Sequence, residues 1–166
     1  MGYYLAIPIL VLAAALESSV LPYLRLYSGQ PSLVLLLVLA WGLNAPLEEA
    51  LFWAFVGGIS QDLLSITPIG TSTIALVIVL FGVEIIRKQV YRVSIMTLLG
   101  TVLVGSVLHE IVSLIVLALI GAPRDLGEVL PYVLLPEIFY NLILMLPIYA
   151  VLRLIQRRIH RPELSL

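Results

Sequence analysis

Apolar runs of roughly twenty residues, broken by few charges, suit this chain to a lipid bilayer better than to water. Of its 166 residues, 61% are hydrophobic and 11% charged. A soluble domain is about 45–50% apolar and about 25% charged. The surface of one small domain cannot hide that excess. The expected fold class is all-α: a single transmembrane domain over residues 1–166, a polytopic membrane helix bundle. Six spans are expected, at about 3–21, 32–43, 46–64, 69–86, 93–120 and 136–154. The second is short, and it spans only if it stays helical to the Asn44-Ala45-Pro46 turn and packs inside the bundle.

Charge placement gives an orientation. With six spans both termini share one side. That side holds Arg87, Lys88 and Arg92 in one loop and Arg153, Arg157, Arg158 and Arg161 in the tail, seven basic residues in all. The other side holds Arg25 and Arg124. The positive-inside bias places the termini in the cytoplasm. Tyr3, Tyr4, Tyr23, Tyr27, Trp41, Tyr91 and Tyr132 fall near the expected span ends, as interfacial aromatics do. The first apolar run lacks a basic leader and reads as a retained span rather than a signal peptide. Ala6 stands where N-myristoylation needs Ser or Thr. A net charge of -1 offers no basic field for nucleic acid, and the absence of cysteine excludes thiol chemistry.

The stretch VGGISQDLLSITPIG, residues 56–70, interrupts the apolar pattern. Gly57 and Gly58 open it and Asp62 sits in its middle. Ala50, Ala54, Gly58 and Asp62 recur at steps of four and share one helix face. Small residues let a neighbouring backbone approach closely. Pro68 and Gly70 mark a turn between two helices. Asp62 is expected to be partly hydrated at that turn, to cap the next helix, or to hold a partner or ligand.

A charge inside a bilayer costs at least about 2.5–3.5 kcal/mol on insertion scales, so each acid there is a functional candidate. On the fifth span Thr97, Thr101, Gly105, His109 and Ser113 form a second row at steps of four. It reads as an interhelical hydrogen-bond seam or a site lining. Glu137 and Asn141 pair at the same spacing on the last span, where Pro136 starts the helix and Pro147 should kink it and free a carbonyl. Glu17 and Glu84 are among these candidates, with a position facing water near a helix end as the alternative.

Catalytic patterns are incomplete. HEIVS, residues 109–113, begins like the zinc motif H-E-x-x-H, but Ser113 replaces the second histidine. EEALFW, residues 48–53, starts like the Glu-Glu-x-x-x-Arg signature of intramembrane prenyl-protein-type proteases, with Trp53 in place of the arginine. No nucleophile elbow, P-loop or dinucleotide fingerprint is present. The expectation is a protein that is not an enzyme and has no catalytic, cofactor or metal residues.

Three segments carry a family resemblance: QPSLVLLLVLAWGL as an early Pro-led span, FVGGISQDLLSITPIGTSTIAL in the middle, and LLPEIFYNLILMLPIYAVLRLIQRR at the end. In these, and over nearly its whole length, the chain resembles the MreD family of bacterial rod shape-determining membrane proteins. The resemblance implies a non-catalytic scaffold of the cell-elongation and peptidoglycan-synthesis machinery. It implies a direct MreC partner, a wider assembly with RodA and a class B penicillin-binding protein, and the MreB filament indirectly. It implies no cofactor.

The family is also similar in fold to the substrate-binding S components of energy-coupling-factor transporters. That likeness makes a vitamin-binding transport subunit the alternative, with Gln61, Asp62, Arg124 and Asp125 as its polar candidates. For helix packing or partner contact the candidates are Ala50, Ala54, Gly57, Gly58, Asp62, Pro68, Gly70, Thr101, Gly105, His109, Glu137 and Asn141.

Overall fold

The computed structural model describes residues 2–24, 29–89, 93–122 and 126–159. Arg25, Tyr27, Tyr91, Arg92, Arg124, Asp125 and Arg161, which entered the readings of charge, aromatics and ligand contacts, lie outside these residues, as do the side chains of Arg157 and Arg158. The described chain is all-helical. Helix α1 spans Gly2–Ser19 and is followed by a 3-10 turn, Leu21–Leu24. Then come α2 (Leu33–Gly42), α3 (Leu47–Leu64), α4 (Thr71–Gln89) and α5 (Ile95–Leu119). A single turn, α6 (Leu126–Val129), passes through a π-helical stretch, Leu130–Leu134, into α7 (Leu135–Ile159). Pro147 does not end α7, which continues past it for twelve residues to Ile159.

By length and composition, three segments could cross a membrane: Tyr3–Tyr23, Ile95–Leu119 and Pro131–Gln156. Helices α3 and α4 have the length, but each carries three charged residues. At ten residues, α2 extends only about 15 Å, half of a bilayer core of about 30 Å.

The shortness of α2 is explained by its place. It packs against α1, α3, α4, α5 and α7. Around it the others follow one another, α1 on α3, α3 on α4, α4 on α5, and α5 on α7. Eight residues of α2 are buried, and Leu33 and Leu37 pack partly buried against the same core. A helix that is apolar all round belongs in an interior. Trp41, expected at an interface, is fully buried and stacked on Trp53, with ring centroids 4.0 Å apart. Tyr4 and Tyr23, by contrast, are exposed.

Glycines set the closest approaches. A Cβ on Gly57 would lie 2.8 Å from a Val34 methyl on α2. One on Gly58 would lie 2.4 Å from the Thr73 Cα on α4. One on Gly105 would lie 2.9 Å from Leu39. Ala50 and Ala54 are buried with Gly58 on the same row of α3. The small-residue row of α3 is therefore used inside the bundle, with Gly58 against α4, and Gly105 of the α5 row meets α2.

Candidate functional site

The N-terminus of α2 is where the buried polar side chains converge. A helix start leaves backbone N–H groups without intrahelical partners. Ser32, the N-cap residue, makes no side-chain cap of its own. Two other helices supply the acceptors. Glu17 of α1 accepts from the Val34 N–H at 3.2 Å and the Ser32 hydroxyl at 3.4 Å. Asn141 of α7 accepts from the Ser32 N–H at 3.0 Å. A carboxylate at this position also meets the positive end of the helix dipole.

The network spreads from there to the other helices. Gln61 Nε2 of α3 donates to Glu17 at 2.6 Å. Asn141 Nδ2 donates to Ser106 of α5 at 3.0 Å and to Glu137, one turn before it, at 3.3 Å. Five helices are thus joined through one helix end. Of the two readings of Glu17, the one facing water does not hold: it is buried at the centre of the network. Removing it leaves the Val34 N–H without its partner. Glu17→Ala should therefore lower stability by about 1–3 kcal/mol, read from thermal melts of the purified chain in detergent. Glu17→Gln, which keeps one acceptor oxygen, should lose less.

The opposite end of α2 is served in the complementary sense. Gln156 Nε2 donates to the Trp41 carbonyl at 3.4 Å. Arg87 donates to the Ala45 carbonyl at 2.9 Å while forming an ion pair with Glu84. Tyr149 donates to Asn44 at 3.2 Å. Cationic and N–H donors lie where the helix dipole is negative. Glu84 pairs with Arg87 and Lys88 near the end of α4.

Asp62 is 2% exposed, not partly hydrated. Its carboxylate accepts from the backbone N–H groups of Gly70 (2.8 Å), Ser72 (2.9 Å) and Thr73 (3.4 Å), and from the Thr73 hydroxyl (3.0 Å). It caps α4 across the turn. Gly70 takes φ +101°, a conformation that glycine adopts freely, and the Pro68 carbonyl accepts from Thr71. Asp62 therefore holds a helix start.

The row on α5 divides. Thr101 donates to the Thr97 carbonyl of its own helix at 2.7 Å, so it makes no seam. Thr97 and Ser113 are only partly buried. The interhelical bond comes from Ser106, outside that row. His109 is buried, and neither ring nitrogen has a hydrogen-bond partner.

His109 lines a cavity of about 520 Å³ at the same end of the bundle as Glu17. Glu17, Gln61, Ser72, Glu110 and Glu137 share its wall. Of the four residues considered for a vitamin site, Gln61 lines the cavity and Asp62 does not. Arg124 and Asp125 lie outside the described residues. Among the described residues no group of three or more His, Asp or Glu side chains is close enough to hold a metal ion.

A family model described as rod shape-determining protein MreD matches residues 1–159. No curated protein and no solved structure matches the chain.

Proposed function

Because the chain belongs to the MreD family of rod shape-determining proteins, we propose that it is a non-catalytic scaffold of the bacterial cell-elongation machinery. It sits in the cytoplasmic membrane and binds the transmembrane segment of an MreC-like single-span periplasmic protein. RodA and a class B penicillin-binding protein belong to the wider peptidoglycan-synthesising assembly, and the MreB filament is reached indirectly. The observation that carries this reading is a family match over nearly the whole chain. The chemistry of the buried polar groups supports it. Asp62, Glu17 and Asn141 are engaged in holding helix starts and joining helices, as a scaffold requires. Since Gly58 of α3 and Gly105 of α5 are occupied within the bundle, the partner meets the outward apolar faces. Phe139, Ile143 and Leu146 on α7 are exposed in this way.

Six crossings are proposed, made by α1, the short segment 32–43 containing α2, and α3, α4, α5 and α7. Both termini are placed in the cytoplasm by the seven-to-two basic asymmetry. The 61–70 turn and the cavity mouth then face outward. Single cysteines in place of Ser65 and Ser165 should react with an impermeant thiol reagent from opposite sides. In intact cells the first should label and the second should not. Labelling of both from outside contradicts this topology.

The cavity favours a second reading, a subunit resembling the S components of energy-coupling-factor transporters, because its volume suits a small molecule. That reading requires tight binding of a water-soluble vitamin by the isolated chain.

A further inference from the structure

We infer that the cavity beside the α2 N-terminus binds a small ligand through a primary ammonium group, independently of the scaffold reading. Its volume, about 520 Å³, lies within the range of about 300–1,000 Å³ usual for small-molecule sites. Carboxylates from three helices stand on its wall: Glu17 of α1, Glu110 of α5 and Glu137 of α7. No Lys or Arg occurs among the described residues lining it.

Clustered acids alone do not define a ligand site, and His109 supplies the second observation. Its side chain belongs to the cavity wall, is 9% exposed, and has no partner for either nitrogen. Gln61 adds a third. Its Nε2 is held by Glu17, while its Oε1 is buried without a partner. Buried polar atoms in proteins are ordinarily hydrogen-bonded, so two such side chains on one cavity point to a group that completes them.

The kind of group follows from the donors and acceptors on offer. Gln61 Oε1 can only accept. Asn141 donates to one oxygen of Glu137, which leaves the other to face a ligand. Neutral His109 offers one acceptor and one donor. Among these three side chains acceptors outnumber donors, which calls for a ligand rich in N–H. An ammonium has three donors and no acceptor. Its charge matches the acidic wall, whereas a carboxylate or phosphate placed there would meet like charge. Ala14, Pro22 and Val133 give the same cavity apolar surface for the carbon attached to the nitrogen.

The ammonium could belong to a free amine or to a phosphatidylethanolamine headgroup. The test uses the full chain in nanodiscs and reads its melting temperature. Ethanolamine is titrated against choline in phosphatidylcholine discs. In a second arm, phosphatidylethanolamine discs are compared with phosphatidylcholine discs. Each pair differs in its N–H donors, which trimethylation removes. A site held at about 100 times its Kd should melt about 5–10 °C higher. A saturable rise with ethanolamine but not choline supports a free amine. A rise confined to phosphatidylethanolamine discs supports the headgroup. In either case Glu137→Gln, whose amide oxygen can still accept from Asn141, should abolish the increment. An equal response within each pair, no response in either arm, or an increment retained in a folded Glu137→Gln protein overturns the inference. The wild-type comparison needs no variant to fold.

Discussion

Asp62→Ala should destabilise the chain by about 2–4 kcal/mol, one of the two largest losses expected of a single substitution here. The carboxylate serves three backbone N–H groups and one hydroxyl while almost wholly buried. Alanine leaves those donors without acceptors in an apolar setting, where each lost partner is felt in full. The helix start of α4 and the turn at Gly70 both depend on it. Asp62→Asn keeps one acceptor oxygen and should recover about half of the loss on the same grounds. Thermal melts of the three proteins in one detergent check the order wild type, Asn, Ala. Equal melting temperatures for wild type and Ala would remove the capping role.

Gly58→Leu should be comparably severe. The first side-chain carbon alone would meet the α4 backbone, 2.4 Å from Thr73 Cα and 2.7 Å from Thr73 N. A backbone cannot rotate away as a side chain can, so α3 and α4 must separate. Overpacking usually costs about 1–3 kcal/mol, and this site should reach the top of that range. Gly100 is the control. It lies in α5 with open space where its Cβ would be. Gly100→Ala should be neutral or gain up to about 1 kcal/mol, because alanine is the better helix former. A melting temperature for Gly58→Leu close to that of Gly100→Ala would show that the α3–α4 crossing is not close.

The sequence shows some of this arrangement and hides the rest, for identifiable reasons. Local spacing reveals shared faces. Ala50, Ala54, Gly58 and Asp62 fall on one row of α3 by arithmetic alone, and all four are buried. The Glu137–Asn141 pair is likewise local, and it is hydrogen-bonded. The role of Glu17 is not local. It depends on Val34, seventeen residues away, and Gln61, forty-four away. No periodicity in α1 encodes them. Ser106 was obscured by the neighbouring row through Gly105, although Ser106 reaches Asn141 and Thr101 bonds only within its own helix. Trp41 stands near a helix end, where aromatics suggest an interface, but α2 is enclosed by other helices, so its end is interior. The shortness of the apolar run at 32–43 and its lack of a polar face were the signs in the sequence that α2 is enclosed.

The proposed role of this chain is assembly. A scaffold has no turnover to measure, so co-purification tests it. The tagged full chain is isolated from membranes together with the MreC-like protein of the same organism. Beside it, the isolated chain is melted with water-soluble vitamins. Stoichiometric recovery of the MreC-like protein and no vitamin shift are expected. A vitamin at 100 times its Kd would add about 2.7 kcal/mol to stability. Such a stabilisation, with no MreC-like protein recovered, would contradict the scaffold and favour the transport subunit.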